Sequence, residues 1–483
     1  MTAGPRTAAT QAWEGAPGTT GRAVVVGAGK IGLPLAAQYA SMGWSVVAVD
    51  IDQRVVDAIN AGRAHVAEEA GLAELVAEAH ASRRLRATSD TAGAVAEADV
   101  VVVIVPVMLS ADATPDYRFI DAAAESVARG LRAPAFRGGP TLVIFETTLP
   151  VGDTRGRLGA SLSGTSGLPA GDAEQGFLLA FSPERVFSGR IFRDLATYPK
   201  LVGGIDPAST ERAAAFYRSV LPAEVWPLAS AEAAEFAKLA ETTYRDVNIA
   251  LANEFARYAD AVGVDVQEVI AAANSQPFSH IHQPGIGVGG HCIPVYPHFL
   301  ISRSAADFTM PALARRINDE QVDLALGSVD GALGGLQGAP ILVLGLTYRD
   351  GVAELAYSRA LPLIAGLRER GAEVWAYDPL LDEPQVERLG ARPYRWGDTG
   401  PFQAVVTQTA EPRFGELDVA WFPELRVLYD GRNSLRGLAL PQGVRYLGVG
   451  VQEDNRAGPK AASPDPNAAF PDMSAGSPAS TRP

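Results

Sequence analysis

The run Val24-Val25-Val26-Gly27-Ala28-Gly29-Lys30-Ile31-Gly32 restricts the fold more than any other stretch of the chain. Three valines read as a buried strand, because β-branched side chains suit a covered, pleated surface. The glycines then arrive as G-x-G-x-x-G. Gly27 permits a tight turn, Gly29 lets the backbone approach a pyrophosphate, and Gly32 lets the next helix pack closely on the strand. Such a turn aims free N–H groups and the positive end of a helix at an anion, so Lys30 and Ile31 within it are expected contacts too. A second apolar run, 46–49, ends in Asp50, where an acid hydrogen-bonds the hydroxyls of an adenosine ribose. A carboxylate there repels a 2′-phosphate, which points to NAD rather than NADP. A glycine-rich turn serving packing alone is the competing reading, and the register of strand, turn, helix and acid speaks against it.

The same alternation continues along the chain. Apolar runs at 23–26, 46–49, 100–105, 141–145 and 177–181 are separated by helical patterns, as expected for parallel strands buried on both faces. From Ala231 to Val262 there is neither Pro nor Gly, and apolar residues recur at three- and four-residue spacing. A helix of ~30 residues spans roughly 45 Å, long enough to join two domains and to offer a face to a second copy. A second alternating block holds runs at 341–344, 374–377, 404–406 and 427–429. The expected fold class is α/β, with two Rossmann-like doubly wound domains joined by a long central helix. The expected division is a loose tail over 1–21, an NAD-binding domain over 22–226, a central helical, dimerisation and catalytic-loop domain over 227–335, a second Rossmann-like domain over 336–452, and a Pro-, Ala- and Ser-rich tail over 453–483.

A net charge of −14 argues against nucleic-acid binding, which needs Lys and Arg stripes to neutralise phosphates. No apolar run approaches the ~20 residues of a membrane span, and the first 21 residues lack the apolar stretch of a secretory signal. With one cysteine in 483 residues there is no intramolecular disulfide and no multi-cysteine metal site, and no metal is expected. The setting this suggests is the reducing cytoplasm.

That cysteine lies in Gln283-Pro284-Gly285-Ile286-Gly287-Val288-Gly289-Gly290-His291-Cys292-Ile293-Pro294-Val295. Four glycines in six positions make a loop that exposes its backbone to a ligand. Cys292 beside His291 reads either as an activated thiol or as a buried structural cysteine, and the residues alone leave both open.

Six segments, in order, resemble the UDP-glucose/GDP-mannose dehydrogenase family, and the similarity runs over 22–448. They are the Gly27–Gly32 turn, Glu146-Thr147-Thr148-Leu149-Pro150-Val151-Gly152, Phe181-Ser182-Pro183-Glu184-Arg185, Ala234-Glu235-Phe236-Ala237-Lys238-Leu239, the Cys292 loop and Asp430-Gly431-Arg432-Asn433. The resemblance implies a four-electron oxidation of a sugar C6 alcohol to a carboxylate, with NAD as acceptor, by a homodimer formed through the central helix. It implies that Cys292 is the nucleophile. Lys238 is expected to stabilise an oxyanion, and Glu184 and Thr148 to order water and substrate. It further implies that Pro106 and Thr148 lie against the cofactor, and that Arg185, Lys238, Gly289, Gly290, His291, Tyr348, Arg349 and Arg432 bind the nucleotide sugar. A solvated helix charge is the bland reading of Lys238, and a local ion pair with Arg185 that of Glu184.

Within the family, Gly-Gly-His-Cys-Ile-Pro is similar to members acting on UDP-N-acetylhexosamines, whereas Ser before the cysteine is usual for UDP-glucose and GDP-mannose. Four positions depart from the pattern. Tyr296 stands where Asp is usual, Thr242 where Asn is usual, Tyr348-Arg349 where Phe-Lys is usual, and Ala356 where Arg is usual. Thr242 keeps a hydroxyl able to donate to an oxyanion, and so counts among the catalytic candidates. Asp246, one turn further along the same helix, is the expected substitute for the missing acid. Three other functions compete. They are a UDP-glucose or GDP-mannose dehydrogenase, a two-electron hydroxyacid-type dehydrogenase needing no thiol, and an impaired paralogue that only binds nucleotide sugar.

Overall fold

The computed structural model describes residues 21–133, 139–303 and 308–451. The terminal tails expected over 1–21 and 453–483 lie, except for residue 21, outside the described residues. The described chain separates into two compact units. One holds 21–250, 288–320 and 347–359, and the other holds 251–287, 321–346 and 360–451. The segment expected as one central domain, 227–335, is thus shared between the two.

The strands of the first unit are β1 (Arg22–Val26), β2 (Ser45–Val49), β3 (Leu85–Thr88), β4 (Val100–Val103), β5 (Met108–Leu109), β6 (Pro115–Asp116), β7 (Leu142–Phe145), β8 (Leu178–Phe181), β9 (Lys200–Gly204) and β10 (Val225–Pro227). The short hairpin of β5 and β6 stands apart. The other eight form one sheet in the order β10-β9-β8-β7-β4-β1-β2-β3. Alternate residues serve its two faces. Val25, Val102 and Ile144 enter one buried cluster, while Val24, Val103 and Phe145 enter the other. With both faces covered, an uninterrupted apolar run is what each strand requires. One pairing differs from the all-parallel expectation, since β9 runs antiparallel to β8.

Strand order reverses between β1 and β4, which opens a crevice beyond their carboxyl ends. The segments that follow β1, β2, β4 and β7 carry Gly27 to Gly32, Asp50, Pro106 and Thr148. Four stretches far apart in sequence are therefore delivered to one edge of the sheet.

The long helix spans Ala231–Val262, as its lack of Pro and Gly predicts. At 32 residues it is about 48 Å long. Its start is seated in the first core through Ala231, Ala234 and Leu239. A second long helix covers Thr309–Leu333.

The strands of the second unit are β11 (Pro340–Leu344), β12 (Glu373–Tyr377), β13 (Arg392–Pro393), β14 (Ala404–Thr407), β15 (Val427–Asp430) and β16 (Arg445–Gly448). They make a six-stranded, wholly parallel sheet in the order β13-β12-β11-β14-β15-β16. Here the reversal falls between β11 and β14, the same doubly wound plan on a smaller scale.

Candidate active site

The three glycines of the first turn answer to three different constraints. Gly27 has φ +96°, and a Cβ there would stand 2.9 Å from the Ile104 carbonyl oxygen. A Cβ on Gly32 would come within 1.7 Å of the Gly27 carbonyl oxygen, so the helix Gly32–Ser41 can begin only with glycine at this approach. At Gly29 a Cβ would meet nothing within 4 Å. That open space beside a helix N-terminus is what a pyrophosphate needs, and the residues fit the cofactor. Asp50 braces the turn, since its carboxylate accepts from the Ala28 N–H at 3.0 Å and from the Asp52 N–H at 2.9 Å. Lys30 lies between Glu68 (3.5 Å) and Glu354 (3.6 Å).

The glycine loop meets the 347–359 segment of the same unit. The Gly290 N–H donates to the Ala356 carbonyl at 2.9 Å, so position 356 acts here through its backbone. A Cβ on Gly289 would stand 2.9 Å from both the Tyr348 Cβ and the Tyr357 carbonyl oxygen. Exposed His291 is bonded through Nε2 to Glu354 at 2.7 Å, and this partner holds the Glu354 carboxyl below its ordinary range. Glu354 therefore joins the cysteine loop to Lys30 of the cofactor turn. Arg349 donates to the Tyr348 hydroxyl (3.0 Å) and to the Ser188 carbonyl (3.4 Å).

Cys292 is half-buried. Its carbonyl accepts from the Tyr296 N–H at 2.9 Å, which starts the short helix Tyr296–Ile301. Burial, and then the neighbouring Cys292, push the Tyr296 phenol well above its ordinary range. Thr148, Glu184 and Cys292, expected together, are all near enough to this phenol to bear on its ionisation. Glu184 is fixed by its own loop, where Oε1 accepts the N–H groups of Arg185 (2.5 Å) and Val186 (2.7 Å). The Arg185 guanidinium pairs instead with Glu241 at 2.9 Å, so the bland reading of Glu184 fails and Arg185 is committed within the protein. Lys238 is 6% exposed, which excludes a solvated helix charge.

Two expectations are corrected. The Thr242 hydroxyl donates to the Lys238 carbonyl of its own helix at 3.0 Å, so its proton is engaged by the backbone rather than aimed at an oxyanion. Asp246 is fully buried against Arg315 (2.6 Å) and Asn318 (2.9 Å), which claim the carboxylate expected to replace the missing acid.

Sequence reasoning passed over the carboxylates behind these residues. Glu235, one turn before Lys238, accepts the Gly152 N–H (2.6 Å) and the Thr154 N–H (2.8 Å), pinning the long helix to the loop that carries Thr148. Glu146 pairs with Lys200 at 2.8 Å and accepts from the Tyr217 hydroxyl. Lys200 also lies 3.9 Å from Glu184. Both acids sit inside motifs quoted above, but nothing local marks a carboxylate as buried.

In the second unit, Asp430 organises the Arg432 loop. It accepts from the Thr407 hydroxyl (3.0 Å), the Arg432 N–H (3.2 Å) and the Tyr446 hydroxyl (2.9 Å). Asn433 takes φ +54° and closes the loop on Val449. The Arg432 guanidinium lies over Gly285, where a Cβ would meet it at 2.8 Å.

Residues 21–221 match the NAD-binding domain of the UDP-glucose/GDP-mannose dehydrogenase family, 232–320 its central domain and 342–437 its UDP-binding domain. The chain belongs to that family. Its cofactor is NAD and its fold is the two-sheet α/β plan just described. Among curated relatives, a UDP-N-acetyl-D-mannosamine dehydrogenase of Pyrococcus horikoshii is 35% identical over 440 residues, 89% of this chain and 99% of that one. An NDP-N-acetyl-D-galactosaminuronic acid dehydrogenase of Ralstonia nicotianae is 36% identical, over 70% of this chain and 78% of that protein. A solved UDP-glucose dehydrogenase of Pyrobaculum islandicum superposes with a TM-score of 0.79 at 26% identity, covering 90% of this chain and 98% of that one.

Proposed function

We propose that this family member oxidises the C6 alcohol of a UDP-N-acetylhexosamine to the carboxylate through a thiohemiacetal and a thioester on Cys292. The observation that carries the reading is the chain's single thiol, half-buried at the end of the glycine loop, in the same compact unit as Thr148, Glu184 and the buried Lys238. Held along the Gly27–Gly32 turn, NAD would supply the hydride acceptor for both oxidations. An aldehyde cannot lose hydride until a nucleophile makes its carbon tetrahedral. A thiolate does this and also leaves readily from a thioester. The Cys292 sulfur adds to the aldehyde carbon while Lys238 supports the oxygen that gains the electron pair. In hydrolysis, water bonds to the thioester carbon, its proton passes to Glu184, and the C–S electrons return to sulfur.

His291 before the cysteine, anchored on Glu354, supports an N-acetylhexosamine, as do the substrates named for the Pyrococcus and Ralstonia relatives. Tyr348, Arg349 and Arg432 are assigned to the nucleotide sugar. A reduced thiol suits a cytoplasmic setting. Among the described residues no helix is long and apolar enough to cross a membrane. Leu251, Phe255, Tyr258 and Val262 are exposed on the long helix at spacings of four, three and four, the stripe that a second copy of the helix would cover.

The test is stoichiometry. The purified chain is offered UDP-N-acetylmannosamine, UDP-N-acetylglucosamine, UDP-glucose and GDP-mannose with NAD, and two NADH per sugar are expected with one of the first two. Cys292→Ala should still bind NAD but form no acid. One NADH per sugar, or steady acid from Cys292→Ala, overturns the mechanism.

A further inference from the structure

Glu354 divides its carboxylate between two loops that serve different ligands. Oε1 lies 2.7 Å from the His291 Nε2, and Oε2 lies 3.6 Å from the Lys30 ammonium. His291 adjoins Cys292, while Lys30 follows Gly29 in the turn whose open space suits a pyrophosphate. An ionised carboxylate can only accept, so the His291 Nε2 is the donor in this contact. Glu354 is itself fixed. Its N–H donates to the Val352 carbonyl at 2.8 Å, and its carbonyl accepts from the Tyr348 N–H at 3.0 Å. Two residues on, the Ala356 carbonyl accepts from the Gly290 N–H at 2.9 Å, so one short segment grips the cysteine loop by backbone and by side chain. Lys30 is steadied from the other side by Glu68 at 3.5 Å. The next residue, buried Glu69, accepts the Gly189 and Ile191 N–H groups, which seats this acid pair on the segment following Glu184.

We propose that Glu354 is a positioning residue that couples the cofactor turn to the Cys292 loop, holding Lys30 with one oxygen and His291 with the other. Neither contact is strong alone, because the Lys30 and His291 side chains are each nearly half exposed and such pairs are screened. An anion in the open space beside Gly29 changes this balance. It restricts Lys30, and through Lys30 the carboxylate that is shared with His291. The cysteine loop then opens less often. Its thiol is held in place while the cofactor turn is occupied and is looser while the turn is empty. The consequence for catalysis rests on Cys292 being the nucleophile, but the coupling does not, and its test needs no sugar.

Cys292 is the only cysteine in the sequence, so alkylation of the full chain by iodoacetamide reports this loop alone. ADP is the probe, since it carries the adenosine and pyrophosphate of NAD without the nicotinamide ring that could itself cover the thiol. With ADP at saturation, its binding to each chain measured by calorimetry, alkylation of the wild type is expected to slow about fivefold, the low end of coupling between two sites. In Glu354→Gln the amide oxygen can still accept from His291 but offers Lys30 no charge. ADP is expected to bind this variant and to leave its alkylation rate unchanged. Lys30→Met cuts the link at its other end and is expected to lose the effect as well, which keeps the idea testable if Glu354→Gln folds poorly. A purely structural role for Glu354 would lower the melting temperature or shift the basal rate while ADP still slowed alkylation. Undiminished slowing by ADP in a folded variant, or no slowing in the wild type, overturns the proposal. Failure of the dehydrogenase reading shows separately, as no NADH from any nucleotide sugar while the Glu354-dependent slowing persists.

Discussion

Replacing Glu235 by glutamine should remove a definite slope from the pH dependence of stability. The side chain is fully buried, and its carboxylate accepts two backbone N–H groups from the loop after β7. Burial outweighs those bonds and lifts the carboxyl from its ordinary 4.5 to about 7. The folded state therefore holds a proton that the unfolded chain releases earlier. Below pH 4.5 both states are protonated and the stabilisation is complete. Between 4.5 and 7 the unfolded chain loses its proton first, so stability falls as pH rises. At ~1.4 kcal/mol per tenfold, the gap amounts to about 3 kcal/mol across that window. Above pH 7 both states are ionised and the slope ends. The substituted amide does not titrate, so the difference in unfolding free energy between wild type and Glu235→Gln isolates this one group. Urea unfolding at half-unit steps from pH 4.5 to 8 should show that difference moving by about 3 kcal/mol against the wild type as pH rises. A constant difference would refute the reasoning, since it would mean that the N–H groups of Gly152 and Thr154 keep the carboxylate ionised throughout. The same latch spaces Lys238 from Thr148, so kcat per folded molecule should fall in the variant at every pH.

The two ends of the glycine turn should separate by phenotype. Gly29→Val, which points into open space, should melt like wild type yet lose NAD affinity by ~10-fold or more, whereas Gly32→Ala should lower the melting temperature itself through its approach to the Gly27 carbonyl. Lys200→Met leaves Glu146 buried without its cation and should cost about 3–5 kcal/mol in urea unfolding, part of which Glu146→Gln in the same chain restores. Asp246→Asn breaks a buried pair with Arg315, so it should lower the unfolding midpoint while kcat per folded molecule changes less than ~10-fold. A 100-fold fall in kcat with an unchanged midpoint would return Asp246 to the chemistry.

Much of the architecture was legible along the chain because it is encoded locally. Apolar runs of four or five residues mark strands buried on both faces, and the 32-residue absence of Pro and Gly marks the long helix to its last residue. The G-x-G-x-x-G turn, Asp50 and the glycine loop around Cys292 were likewise readable, since each states a backbone requirement in its own residues. Partner choice was not readable. His291 meets Glu354 across 63 residues and Gly152 meets Glu235 across 83. The proton of Thr242 turned to its own helix, Asp246 turned to Arg315, and β9 reversed against β8. A side chain's type sets what it can donate or accept, and periodicity sets which face it occupies. Which charge is desolvated, and which of several donors lies within hydrogen-bonding reach, is decided only when distant elements close on one another. The sequence by itself therefore determined the strands, the cofactor turn and the loop that carries the single thiol. The tertiary structure decided what stands beside that thiol, because burial and long-range contact are properties of the packed chain.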